Sequence, residues 1–231
     1  TQGYSSAASD VYKRQKEVYR ALISQFPHED LFKVYLAEIL LNDGEEDDGL
    51  SLLYSVPEGS SAYLDSLLVQ ADYYQTSGLI ETAKDKLLQA LKIAPEEDAV
   101  KFGLAELDYL SGDHEQALAL YEDLIQRQNV FGEIDLNQRL FATNAKLGNY
   151  EKAADIIKKR GDSILDIDSK YEAGLVMLSV GDDDRAIKFL DEVIQQSPDY
   201  VNAYPLLAQA YEHKHDYAQV LRTAQAGLAY N

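Results

Sequence analysis

Cysteine and tryptophan are absent from this 231-residue sequence, methionine occurs once and proline five times. Without cysteine there can be no disulfide, no thiolate nucleophile and no thiolate-based zinc site. Basic residues are scarce too: 21 Lys and Arg stand against 40 Asp and Glu, for a formal net charge of −19. Nucleic acids and anionic membrane surfaces both need a basic stripe to bind, so neither is expected as a partner. No apolar run approaches the roughly 20 residues that span a bilayer, and Thr1-Gln2-Gly3-Tyr4 lacks the charged start of a signal peptide. The expectation is a cytoplasmic protein. Hydrophobic residues make up 46% of the chain, enough for a continuous core and too many for global disorder.

Catalytic signatures are missing as well. There is no G-x-S-x-G elbow, no glycine-rich phosphate loop and no His-Glu zinc helix. Of His28, His114, His213 and His215, only the last two are close, and a spacing of two at a helix end points them apart rather than onto one metal. A surface or turn role is expected for them. The acidic runs Glu45-Glu46-Asp47-Asp48 and Asp182-Asp183-Asp184 lack the alternating ligands of a calcium loop. Both follow a glycine at the start of a helical pattern, where carboxylates cap free amides and favour the positive end of the helix dipole. No catalytic residue, cofactor or metal is therefore assigned and an enzyme is not expected. A carboxylate-based activity in a cleft is the least supported alternative.

What the sequence does contain is a repeat. Gly44, Gly78, Gly112, Gly148, Gly181 and His215 are separated by 34, 34, 36, 33 and 34 residues. Glycine takes the left-handed conformation at a helix C-terminus at least cost, so these positions read as turns between paired helices. Seven residues before each turn stands Ala37, Ala71, Ala105, Phe141, Gly174 or Ala208, and five after it Gly49, Ala83, Ala117, Ala153, Ala186 or Val220. Small side chains there let two helices approach closely. Leu53, Leu87, Tyr121, Ile157, Leu190 and Ala224 follow four residues later on the same helical face, which is core.

The period and the order small residue, aromatic, Ala, Leu, Pro are similar to the tetratricopeptide repeat, most clearly in Ala71, Tyr74, Gly78, Ala83, Leu87, Ala90 and Pro95. The likeness covers residues 16–231: a half repeat at 16–29, with its second helix over 16–25, then repeats at about 30–63, 64–97, 98–133, 134–166, 167–200 and 201–231. Each copy is degenerate: the family's Trp is missing, and Gln70, Asp108 and Asn144 stand where apolar or aromatic residues are usual. Residues 5–15 look like translated adapter sequence, so 1–15 are set apart as a non-native or disordered lead. The end on Tyr230-Asn231 within a helical pattern marks the chain as a fragment of a longer bacterial array. The fold class implied by the resemblance is all-α, an α-solenoid whose hairpins stack into a right-handed superhelix with first helices lining a concave wall. The fourth repeat, with its 36-residue spacing, Asn129-Val130-Phe131-Gly132 and Arg160 at a core position, is expected to be irregular.

The resemblance also places the binding surface on that wall. In family members that grip C-terminal carboxylates the groove carries cations. Here the equivalent places hold Val34 and Glu38, Leu68 and Asp72, and Phe102 and Glu106, so such a clamp is not expected. The candidate wall comprises Val34, Glu38 and Leu41; Asp65, Leu68 and Asp72; Phe102, Glu106 and Tyr109; and Tyr171 and Leu175. Glu38, Asp72 and Glu106 recur every 34 residues, one helical turn after an apolar neighbour. A scaffold or adaptor for a protein or peptide with basic and apolar residues is the expected function. Self-association through the repeat ends is the alternative.

Overall fold

The structure, a computed structural model, describes residues 2–127, 135–161 and 165–230, with side chains described from residue 13 onward. The chain divides into two compact units, Thr1–Ser111 and Gly112–Asn231. The first holds α1 (Gln2–Gln25), α2 (Leu31–Asn42), α3 (Glu46–Tyr54), α4 (Tyr63–Thr76), α5 (Ile80–Ile93) and α6 (Asp98–Ser111). The second holds α7 (His114–Gln126), α8 (Leu136–Lys146), α9 (Tyr150–Arg160), α10 (Ile167–Ser179), α11 (Asp183–Gln196), α12 (Ala203–His213) and α13 (Tyr217–Leu228). No strand occurs among the described residues, and no described helix is long and apolar enough to cross a membrane. The insert-like residues 129–132 lie outside the described residues.

All six turn positions have positive φ: 81°, 76°, 89°, 73° and 75° at the five glycines, and 59° at His215. At the turns of Gly44, Gly78, Gly148, Gly181 and His215 the backbone closes in the same way, as where Leu79 N–H donates to Tyr74 C=O and Asp182 N–H to Met177 C=O, which satisfies carbonyls left over at the helix end. In unit 1, α2 packs on α3 and α4 on α5; in unit 2, α8 packs on α9, α10 on α11 and α12 on α13. The small residues predicted at these interfaces are buried: Ala37, Ala83, Ala153 and Ala186 are all 0% exposed. A Cβ built on Gly174 would lie 2.6 Å from Leu190 Cγ, and one on Gly49 would lie 2.8 Å from Leu41 Cγ, so contact there is closer than any side chain permits.

Polar residues at core positions are held by local bonds, because a buried polar group without a partner is costly. Gln70 Nε2 donates to Ser66 Oγ at 3.0 Å, and Ser66 Oγ donates to the Leu53 carbonyl at 3.0 Å. Asn144 Nδ2 donates to the Leu140 carbonyl at 2.8 Å. Asp108 on α6, 4% exposed at its side chain, pairs at 2.8 Å with Lys84 of α5. Arg160, by contrast, is exposed, and the core position in its helix is filled by Ile157.

Helix ends correct the sequence reading at the start of α1 and at the N-cap of α3, while Glu46, Asp47, Asp48, Asp183 and Asp184 do lie in the first turns of their helices. α1 begins at Gln2 instead of residue 16, with no proline inside it to stop the helix. Lys16 on α1 is clamped by Asp43 and Glu45, whose hydrogen bonds raise its pKa above the usual lysine value. Glu45 precedes α3 without capping it, being drawn instead to Lys16 at 2.6 Å. Asp182 does cap α11, accepting from Arg185 N–H, while Asp183 and Asp184 reach His213 and Lys214 at the end of α12.

Candidate partner-binding surface

First helices of successive hairpins lie side by side within each unit: α2 beside α4 in the first, and α10 beside α8 and α12 in the second. Side chains at one register position of these helices therefore come onto neighbouring strips of surface. In unit 1, Glu38, Asp65 and Asp72 are exposed. None of the three has an ion-pair or hydrogen-bond partner among the described residues. This separates them from the carboxylates that serve the fold, such as Asp30, whose pKa is lowered chiefly by the Lys33 ammonium bonded to it at 2.6 Å.

The apolar part of the expected surface is distributed differently from the sequence reading. Val34 is 2% exposed and packs among Ala37, Leu53, Val56 and Ala62, so it belongs to the core and cannot meet a partner. The physical reason is the short α3: the connection over residues 55–62 folds back, burying Val56 and Ala62 in that same cluster. Leu41 is half-buried against the same cluster and the bare backbone of Gly49, and Leu68 is half-buried against Leu67, Ala90 and Val100. Exposed apolar area is richer on α6, where Phe102, Glu106 and Tyr109 are all partly exposed. Leu110, 61% exposed, adds to this area and was not among the candidates. Its place four residues after Glu106 was the available signal.

In unit 2, Tyr171 is half-buried, its ring 5.0 Å from that of Tyr200 and packed against the cluster of Leu190, Val193, Ala203 and Leu207. Leu175 is half-buried one turn on. The register position of Glu38, Asp72 and Glu106 is filled here by Ala142 and Leu175, so the acidic line is a property of unit 1. Gln138, also on a first helix, is tied at 3.0 Å to Asp166, the N-cap of α10. No group of three or more His, Asp or Glu is gathered as a metal-ligand set among the described residues.

Comparison with known proteins follows the same lines. A family model described as YpiA-like, tetratricopeptide repeats, matches residues 75–129, and a tetratricopeptide repeat model matches residues 168–200. The TPR repeat-containing protein YpiA of Bacillus subtilis (strain 168) is 31% identical over 230 residues, covering 97% of this chain and 54% of that protein. The chain thus spans about half the length of this curated relative. Among solved structures, MamA superposes with a TM-score of 0.62 at 20% identity, over 74% of this chain and 93% of that one. YrrB, a TPR protein with an unusual peptide-binding site, gives a TM-score of 0.62 at 16% identity, over 83% of this chain and 92% of that one. A tetratricopeptide repeat protein from Parabacteroides merdae gives 0.61 at 15% identity, over 93% and 80%. With its all-α, solenoid-type hairpins, the chain belongs to the tetratricopeptide-repeat family.

Proposed function

We propose that the first-helix face of the N-terminal unit receives a protein segment, extended or helical, that carries Lys or Arg beside apolar side chains. The observation that carries this reading is the set Glu38, Asp65 and Asp72: exposed carboxylates on neighbouring helices, without partners among the described residues. Charge left unpaired along one face is charge available to a ligand. Phe102, Tyr109 and Leu110 on α6 supply apolar area beside Glu106, and apolar surface rimmed by charge is a usual mark of a binding site. Tetratricopeptide-repeat proteins generally mediate protein–protein interaction, and the structurally similar YrrB has a peptide-binding site. The chain acts in this reading as a scaffold or adaptor and not as an enzyme.

Energetically the two kinds of residue have different tasks. Each exposed ion pair contributes only about 0.2–1 kcal/mol, so apolar burial supplies most of the affinity. The carboxylates set the choice of partner and the association rate. Raised salt should therefore weaken binding moderately without abolishing it.

The test is calorimetric titration of a partner recovered from the source organism against the parent and a triple variant, Glu38→Lys, Asp72→Lys and Glu106→Lys, of equal helicity. Like-charge repulsion should reject the partner in the triple variant, whereas Phe102→Ala should weaken it through lost contact area. Unchanged affinity in the triple variant would show these carboxylates to be ordinary solvated surface.

A further inference from the structure

We infer that the cleft between α1, α2 and α3 is a docking site for a tyrosine side chain presented by a segment of a partner protein. The cleft has a volume of about 320 Å³, and its walls include Arg20 and Ile23 of α1, Leu36 and Leu40 of α2, and Asp48 and Leu52 of α3. That is the small end of the range for ligand pockets, the scale of one large side chain. Leu36 and Leu40 stand two residues to either side of Glu38, about 200° round the helix, so the cleft opens on the face of α2 away from that carboxylate.

The next groove of the same register shows what fills such a space. One 34-residue period beyond Arg20, Leu40 and Leu52 stand Tyr54, Tyr74 and Lys86. These three meet: the hydroxyls of Tyr54 and Tyr74 are 2.6 Å apart, and Lys86 Nζ lies 5.0 Å from the centroid of the Tyr54 ring. The groove between α3, α4 and α5 is therefore filled by phenol rings of the chain itself, with a cation over one of them. Tyr54 is nevertheless 56% exposed, although α1 and α2 precede this groove and α6 follows it. A groove of this register is thus closed by side chains, and a neighbouring hairpin does not cover it. In the first groove Arg20 and Leu40 replace the two tyrosines, and the cleft is the space left over.

Charge on the walls selects the occupant. Arg20 and Asp48 border the same cleft, and neither side chain has an ion-pair or hydrogen-bond partner among the described residues. Leu36 and Leu40 are 3% and 2% exposed, so the floor between them is packed and apolar. An aliphatic side chain would cover the floor and leave both charges unused. A lysine or arginine would answer Asp48 and be repelled by Arg20, and a carboxylate would do the reverse. A phenol meets all three surfaces: its ring lies on the leucines, its face attracts the Arg20 guanidinium as that of Tyr54 attracts Lys86, and its hydroxyl donates to the Asp48 carboxylate. Tyrosine also brings rigid contact area at a small cost in conformational entropy. The site is independent of the ligand proposed for the first-helix face.

The experiment is a titration of the whole chain followed by methyl NMR, with N-acetyl-tyrosinamide as the probe. Ring currents should shift the methyls of Ile23, Leu36, Leu40 and Leu52, with a Kd on the order of 1 mM for so small a molecule. N-acetyl-leucinamide should bind about tenfold more weakly. A blocked Gly-Tyr-Gly tripeptide should bind at least as tightly as the amide, since the backbone stays outside the cleft. Asp48→Ala should remove the preference for tyrosinamide over N-acetyl-phenylalaninamide. Arg20→Tyr, which places in the cleft the side chain found one period on, should abolish the shifts at unchanged helicity. Arg20→Ala, at the same exposed position, should weaken binding about threefold and serves if the tyrosine variant misfolds. Glu38→Lys should leave the titration as it is. Methyls that do not move, a leucinamide bound as tightly as the tyrosinamide, or binding indifferent to Arg20 each overturn the inference. A cleft that takes p-cresol and refuses the tripeptide overturns it too, because it is then a small-molecule pocket and not a docking site.

Discussion

Gly174 offers the sharpest test of the packing argument, because two effects of similar size oppose each other there. In an exposed helix Gly→Ala gains about 1 kcal/mol from backbone entropy and propensity. At Gly174 the new Cβ would stand 2.6 Å from Leu190 Cγ and 2.7 Å from its Cδ2. Leu190 is 0% exposed and wedged among Val193, Ala203 and Leu207, so the root of its side chain cannot swing away without disturbing a second hairpin. Overpacking of that kind costs about 1–3 kcal/mol, and with the obstruction at Cγ we place it in the upper half. The net expectation for Gly174→Ala is a loss of about 1–2 kcal/mol after the helical gain is subtracted. Gly103→Ala is the control: its nearest neighbour is a methyl, Leu87 Cδ1 at 3.1 Å, and the next is at 3.9 Å. A terminal methyl can give by a few tenths of an ångström, so this change should be neutral or slightly stabilising. Urea unfolding followed by circular dichroism, with hydrogen exchange at α10 and α11 to localise the effect, reads both. If Gly174→Ala is as stabilising as Gly103→Ala, the close approach of α10 and α11 is not a packing constraint and the argument fails.

Ala83→Leu, at a position 0% exposed between α4 and α5, should cost about 1–3 kcal/mol, and a thermal melt matching the parent would remove Ala83 from the helix interface. Lys84→Met should cost about 2–4 kcal/mol by leaving the Asp108 carboxylate buried alone, and adding Asp108→Leu should recover most of it. Denaturant midpoints of the single and double variants decide that point, and a double variant as weak as the single one contradicts it. For Asp30, the Lys33 bond places the folded pKa below 3.8. Its contribution is present above the unfolded value and lost as pH falls through the folded one, so Asp30→Asn should flatten the acid limb of a pH–stability curve and leave neutral pH less stable.

Much of the fold was legible because a repeat states the same structural instruction several times. One glycine at a helix end is weak evidence, but positive φ at Gly44, Gly78, Gly112, Gly148 and Gly181 follows from their common place in the period. His215 could be read as a sixth turn only through that period, since nothing in a histidine by itself asks for φ of 59°. Departures from the period were harder to place. Gln70, Asp108 and Asn144 looked like defects, and the structure shows each meeting a partner supplied by its own or an adjacent helix. Val34 was misread because its burial depends on Val56 and Ala62 in the connection over residues 55–62, which lie outside the helical pattern used to read it.

The candidate surface was less legible for a related reason. Positions that repeat in every copy are those the stacking of hairpins requires, so they describe the fold and say little about a ligand. What a ligand meets is written in positions free to vary, and there each copy is a single unreplicated observation. The inner register shows this: Glu38, Asp72 and Glu106 agree through the first unit, and Ala142 and Leu175 then replace the carboxylate. Had the acid been needed to hold the hairpins together, its loss at α8 and α10 would have required a substitute, yet the turns that follow those helices keep the same positive φ at Gly148 and Gly181. The carboxylate is therefore dispensable to the architecture. That dispensability separates Glu38 and Asp72 from Asp30 or Asp108, whose partners lie within the fold. A carboxylate that the fold can do without, kept on neighbouring helices and unpaired on both, is the kind of residue on which a choice of partner can be built.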